Sequence, residues 1–345
     1  MKKNQLEFTY MRGIAIIWIV LGHSIYNSGQ GFPLMLENLL RGGTALFVFI
    51  SGYFFHRIFY KKFDLKTFMK SKVRNVLYPF LIVSLVGLLL LCLRWVLMDG
   101  HDLEKVLMGI YYTSRNGYVL YPHWYIPFIM LVFLCSPLFI RYIQCSTDMR
   151  WTLFILSCVI AVLIHRPIGN INVVHSVVYF TPFYLLGILY STDEARIARY
   201  TNVATVLAFV GLIITLVMQT YVEGHVGNYH KFPFTYGGID WQFLQKLCLC
   251  LLVLDLSVRL SKMGEIDWLI RIAEMSFAIF FIHPIFSFFF GIITQLLRYK
   301  LPPDNVVTTL LFSAFIFLFL MVGSIVTANF IKARLGDRSR TYIGW

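Results

Sequence analysis

Charge is what this chain of 345 residues has least of: Asp, Glu, Lys and Arg together are 14 % of it, and only 17 residues are acidic. With 58 % hydrophobic and 17 % aromatic residues and a mean hydropathy of +0.71, a soluble globular domain is excluded. Low-complexity segments, internal repeats and a separate soluble domain are also missing, and the polar tail "KARLGDRSRTYIGW" is too short to fold alone. No small-residue cleavage site follows the first apolar run, so that run is expected to stay as an anchor. The six cysteines (Cys92, Cys135, Cys145, Cys158, Cys248, Cys250) show no CxxC spacing, which favours packed, reduced thiols over a metal site or an acyl-cysteine. A glycine-rich phosphate cradle is lacking as well, so any phosphate must be held by side chains.

What remains is a series of continuous apolar runs, many near the roughly 20 residues that carry a helix across a bilayer. Barrel strands would alternate apolar and polar over about ten residues, and these runs do not. The expectation is an all-α polytopic helical bundle of about ten transmembrane helices, a single domain over 1–345. The spans are read as 12–27, 42–59, 77–98, 123–143, 151–165, 174–190, 202–221, 240–259, 272–295 and 306–331. With the N-terminus inside, 21 of the 30 Lys and Arg fall on the inner side and 9 elsewhere, which places both termini in the cytoplasm. The net charge of +13 is then topological and implies no nucleic-acid partner. Three connections are long: Phe59 to Val76 inside, and Asp99 to Tyr121 and Val222 to Ile239 outside.

The first run, "MRGIAIIWIVLGHS", carries Arg12 and His23. Eleven residues at 100° each return within about 20° to one helix face, and at 1.5 Å per residue they lie roughly 16 Å apart along the axis. Ionisable groups at that depth normally face a bundle interior or a water-filled path. Arg12 alone would suit a snorkelling anchor and His23 a helix-packing bond; their common face argues for one cavity. The stretch "RIFYKKFDLKTFMKSKVRN" holds seven cations against Asp64 and suits phosphates, either of lipid heads or of a nucleotide-bearing donor. Outside, "YYTSRNGYVLYPHWY" sets tyrosines and Trp124 around Arg115 and His123, fitting an interfacial belt or a wall for sugar rings, with "NYHKFPFTYGGIDW" opposite. His283 precedes Pro284 in "FIHPIF" and reads as a second cavity histidine or a kink-packing residue. Glu274, Asp255 and Lys246 read as members of structural pairs.

Arg12 followed by ten residues and His23 resembles the first-helix motif of membrane acyltransferase family 3, the bacterial integral membrane O-acyltransferases of surface glycans. "ALFVFISGYFF", with Ser51, resembles that family's aromatic Ser-Gly phrase. "VRNVLYPF", "PHWYIPFIMLVFLCSPL", "YFTPFYLLGILY" and "SFAIFFIHPIF" follow in family order over nearly the whole chain. Where many members carry Arg-x-x-Arg, this chain has Lys72 and Asn75, with Arg74 beside them. The position of Glu7, five residues before Arg12, resembles the intercellular-adhesin polysaccharide branch, for which acyl transfer and export have both been proposed.

The resemblance implies an inner-membrane O-acyltransferase, most simply an O-acetyltransferase. It would take its group from cytoplasmic acyl-CoA (acetyl-CoA as donor substrate, no bound cofactor, no metal) and pass it to a hydroxyl of a surface polysaccharide or its lipid-linked precursor. His23 and Arg12 would be catalytic, Arg12 holding donor charge or orienting an acidic partner such as Glu7; Lys72, Arg74 and Arg12 would bind the donor. His283 and Ser51 would form a second cavity site, and Trp124, Tyr125, His123 and Arg115 the acceptor wall. The rival reading is an exporter of glycan or lipid-linked sugar without covalent chemistry, although no matched halves mark an inverted repeat.

Overall fold

The computed structural model describes residues 6–115, 117–199, 201–232, 235, 237–296 and 305–345. In chain order the helices are α1 (Leu6–His23), α2 (Leu34–Leu40), α3 (Thr44–Phe54), α4 (Leu65–Lys72), α5 (Tyr78–Leu97), α6 (Leu103–Arg115), α7 (Tyr125–Leu134), α8 (Ser136–Gln144) and α9 (Thr147–Ile164). They continue with α10 (Val173–Thr192), α11 (Glu194–Ala198), α12 (Thr201–Val217), α13 (Trp241–Met263), α14 (Asp267–Glu274), α15 (Ser276–Leu296), α16 (Val306–Leu335) and α17 (Ser339–Ile343). The described strands are two residues each, β1 (Arg166–Pro167) and β2 (His230–Lys231), paired in parallel.

Among the described residues, seven helical stretches are long and apolar enough to cross a bilayer, and eight if α7 and α8, bent by 53°, count as one span. The 18-residue α1 and the 23-residue α13, the latter with Lys246, Asp255 and Arg259 along it, pack among them. The start of each of several helices is written in the sequence as a side-chain cap. Ser146, Asn172, Asp240 and Asn305 each accept a hydrogen bond from the backbone N–H three residues on, opening α9, α10, α13 and α16. Ser146 is why α9 starts four residues before the expected 151.

Two expected connections are helical. Asp64 caps α4 through Thr67 N, and α4 runs through a π-helical turn at Val73–Leu77 into α5, so the basic stretch after Phe59 is mostly helix. Between α5 and α7, α6 presents Leu103, Leu107, Met108 and Tyr111 on an exposed apolar face, as a helix lying along the membrane interface does. The 240–259 span extends to Met263, and the 272–295 span starts at α14 with a break at Met275.

The centre of the bundle is the α3–α10 crossing. Gly52 and Gly187 face each other's helices so closely that a Cβ on Gly187 would lie 2.1 Å from Phe49 O, and one on Gly52 would overlap Tyr184 O. Small residues permit such backbone contact between membrane helices, where dispersion rather than hydrophobic expulsion holds the pair. Around it pack Phe8, Phe49, Phe55, Phe183 and Tyr184, each fully buried.

The start of α1 and the tail lie at one face, because Arg12 and Arg340 line the same cavity there. Single cysteines at Lys66 and Glu104, both exposed, test which face that is. In intact cells with a cysteine-free background, an impermeant thiol reagent should label position 104 and not 66; the reverse pattern would invert the topology.

Candidate functional site

His23 ends α1, and α15 brings His283 against it, with His23 Nδ1 and His283 Nε2 2.9 Å apart. His283 Nδ1 in turn lies 2.8 Å from Ile279 O, one turn earlier on its own helix. A carbonyl can only accept, so His283 carries its proton on Nδ1 and accepts at Nε2. His23 therefore donates from Nδ1 and keeps its lone pair on Nε2. The chain Ile279 C=O, His283, His23 fixes the tautomer and the ring plane of a base, the task a carboxylate performs in a hydrolase triad.

The His23 ring borders a cavity of about 620 Å³ at the face opposite the tail. Tyr121 meets its edge, with ring centroids 4.7 Å apart. Trp124, Tyr125, Arg41, Arg166, Asn228 and His230 form much of the wall. The Arg166 guanidinium stacks over the Trp124 ring at 4.6 Å and is 5 % exposed.

A second cavity of about 1180 Å³ lies at the tail-side face, lined by Arg12, Ser51, Lys72, Asn75 and Arg340 among aromatics. Lys72 Nζ sits over the rings of Phe59, Phe68 and Phe133 at 4.7, 5.0 and 4.6 Å, a cage that holds its charge by the ring quadrupoles. Arg12 Nε is buried with no hydrogen-bond partner among the described residues. Between the two lies a small neck of about 280 Å³. It shares Ile19, Thr44, Tyr125 and Phe280 with the His23 cavity, called outer after the expected topology, and Phe47, Tyr125 and Phe277 with the tail-side one, called inner. Arg12 and His23, on one face of α1, thus line the two cavities that flank this neck.

The expected site residues divide accordingly. Arg12, Ser51 and Lys72 line the inner cavity; His23, Trp124 and Tyr125 line the outer one, and His283 stands behind His23. Ser51 donates to Phe47 O and faces the Tyr125 hydroxyl. Three residues are elsewhere. Arg74 is exposed and Arg115 is exposed at the end of α6, neither lining a route cavity. His123 is fully buried, bonded through Nδ1 to Ser84 and set against Phe80 and Phe281, so it packs rather than faces an acceptor.

Glu7 lines a different cavity with Tyr190 and Glu194, and the carboxylate whose charge reaches Arg12 is that of Glu274. Asp255 pairs with Arg259 at 2.8 Å, and Lys246 donates to the Asn38 and Leu39 carbonyls that end α2. Of the "NYHKFPFTYGGIDW" segment, Asn228 and His230 reach the outer cavity, while positions 233, 234 and 236 lie outside the described residues.

Sequence reasoning missed Arg41, Arg166 and Arg340. Arg166 had one signal: it is a cation at the outer end of a span, against the inside bias that accounts for most others. Among the described residues no three His, Cys, Asp or Glu converge as a metal site would require.

In comparison with known proteins, a family model described as an acyltransferase domain matches residues 5–329. No curated protein and no solved structure matches the chain.

Proposed function

Because the chain belongs to the acyltransferase 3 family, we propose that it is a bacterial inner-membrane O-acyltransferase moving an acyl group, acetyl in the simplest case, from cytoplasmic acyl-CoA to a glycan hydroxyl. The observation that carries this reading is the route itself, with a tautomer-fixed base at one end and three cations at the other. Phosphates of the donor meet Arg12, Lys72 and Arg340, the last two replacing the Lys72 and Arg74 pairing expected from the sequence. The extended pantetheine arm occupies the neck and delivers the thioester carbonyl to His23.

The acceptor, a surface polysaccharide or its lipid-linked precursor, lies in the outer cavity. Its hydroxyl loses a proton to His23 Nε2 as the oxygen attacks the carbonyl. The tetrahedral intermediate collapses with cleavage of the C–S bond, and the leaving thiolate takes the proton back from Nε2. Throughout, His23 Nδ1–H stays on His283, so the ring need not turn between the two transfers. Export of intact sugar fits this route less well, since Ile19, Phe47, Phe277 and Phe280 make most of the neck wall apolar and leave a polyhydroxylated ring only the hydroxyls of Thr44, Tyr125 and Ser276.

Labelled acetyl-CoA supplied to inverted membrane vesicles tests the donor side. Lys72→Gln with Arg340→Gln should raise the donor KM about tenfold or more and leave kcat nearly unchanged, since phosphate contacts of about 1 to 3 kcal/mol are lost equally from ground and transition states. An unchanged donor KM at equal membrane abundance would remove the route from the mechanism. At the level of the cell, surface glycan should lose an acyl-sized mass when the gene is deleted; glycan unaltered in mass but trapped inside would instead establish export.

A further inference from the structure

The outer cavity holds a cation that forms no ion pair among the described residues. Arg166 is 5 % exposed, and buried charges are normally paired, because desolvating an unpaired ion costs several kcal/mol. Its Nε donates to Asn170 Oδ1 and its Nη1 to Asn228 Oδ1 at 2.9 Å, while no described residue takes a hydrogen bond from Nη2. Arg41, the other cation of this wall, is already matched by the fully buried Glu37 at 3.0 Å. Asp240, a more distant acid, is committed to Tyr179 and to the Phe243 N–H.

No described carboxylate lines the cavity, and its charge is that of Arg166 and Arg41. A guanidinium can only donate, so both Asn170 and Asn228 turn their oxygens to Arg166 and their amide N–H groups elsewhere. His230 donates from Nδ1 to Pro167 O, and burial beside Arg166 pushes its imidazole down to about 4, leaving it neutral. The Arg166 guanidinium rests against the adjacent rings of Trp124 and Phe180, at 4.6 and 5.4 Å, which restrains the fork.

We propose that the acyl acceptor binds as an anion, with a carboxylate or phosphate of the glycan completing the charge pair of Arg166 beside the hydroxyl that His23 deprotonates. The shared chemistry is a planar or tetrahedral oxyanion accepting from Arg166 Nη2 and the Asn228 amide. Its two sources are a uronic-acid residue and the phosphate of a lipid-linked or phosphorylated sugar. The word acceptor rests on the acyl-transfer reading; the anion subsite does not.

The test is thermal stabilisation of the purified full-length chain, followed by intrinsic fluorescence with trigalacturonate, inorganic pyrophosphate or neutral maltotriose. An anion at about 100 times its Kd should raise Tm by several degrees, and maltotriose at equal concentration should not. A response to trigalacturonate alone assigns a uronate, and a response to pyrophosphate alone assigns a phosphate source. Arg166→Gln should lose the response. Asn228→Asp, which supplies Arg166 with a built-in counter-ion and so preserves the fold, should weaken anion binding at least tenfold.

Equal stabilisation by the neutral sugar, no response to either anion, or a full response in Asn228→Asp would overturn the proposal. No response to either anion is also the result expected if Arg166 serves only the transition-state oxyanion. Failure of acyl transfer itself would be seen separately, as glycan acylation indifferent to His23, with the Tm shifts untouched.

Discussion

His23→Gln should lower glycan acylation by about 10² to 10⁴ at constant folded protein, the range a positioned general base supplies. Glutamine keeps an amide that can donate to His283 Nε2 but has no group that accepts a proton near neutral pH. His283→Leu is the companion variant. It leaves His23 in place and removes the acceptor that fixes its tautomer, so kcat should fall while the donor KM holds, and glycan acylation should retain more than in His23→Gln. If the pair merely bridged α1 and α15, His23→Gln would keep near-parental acylation, since interhelical hydrogen bonds in membranes average well under about 2 kcal/mol. Acyl content of the glycan, normalised to protein recovered folded from the membrane, decides between the two.

Gly187→Ala should leave little folded protein. The added Cβ would stand 2.1 Å from Phe49 O and 2.7 Å from Tyr53 N, both backbone atoms that no rotamer change can move. Relief requires α3 and α10 to separate, which breaks the contacts among Phe49, Tyr53, Phe183 and Tyr184 at the centre of the bundle. Overpacking costs about 1 to 3 kcal/mol where side chains can yield, and more where they cannot. A loss of about 3 kcal/mol lowers the folded-to-unfolded ratio more than a hundredfold. Gly291→Ala is the control, because a Cβ there meets nothing within 4 Å and alanine favours the helix. Thermal melting of detergent-solubilised protein should separate them; equal Tm values for the two variants would show that α3 and α10 are not held by backbone contact.

The all-α bundle was legible because its apolar runs are long, and several helix starts carry Ser, Asp or Asn caps. The common face of Arg12 and His23 was legible too, since it depends on one helix only. The His23–His283 bond was not. The two residues are 260 positions apart, and their meeting depends on how α15 packs on α1, of which periodicity says nothing. His123 and Arg115 read as acceptor residues because aromatic neighbours surround them in sequence, yet the turn before α7 sends His123 inward to Ser84 and Arg115 outward. Arg166 escaped notice for the converse reason: "HRPIGN" has no periodicity, and its value comes from Asn228, Trp124 and Phe180, supplied by three distant segments.

The neck also bears on the energetics of the cell. An open passage from the tail-side cavity to two hydrogen-bonded imidazoles would be a ready path for proton leakage, and a leaking pore would dissipate a proton-motive force across the membrane. Ile19, Phe47, Phe277 and Phe280 interrupt it where the cavity is narrowest, with too few polar partners to hold a file of water. A thioester arm can displace such a plug, because it is itself a flexible, largely uncharged chain. On the proposed mechanism the same plug insulates the bilayer between turnovers and admits the donor during them, and the one proton moved per turnover leaves bound to the donor's thiol.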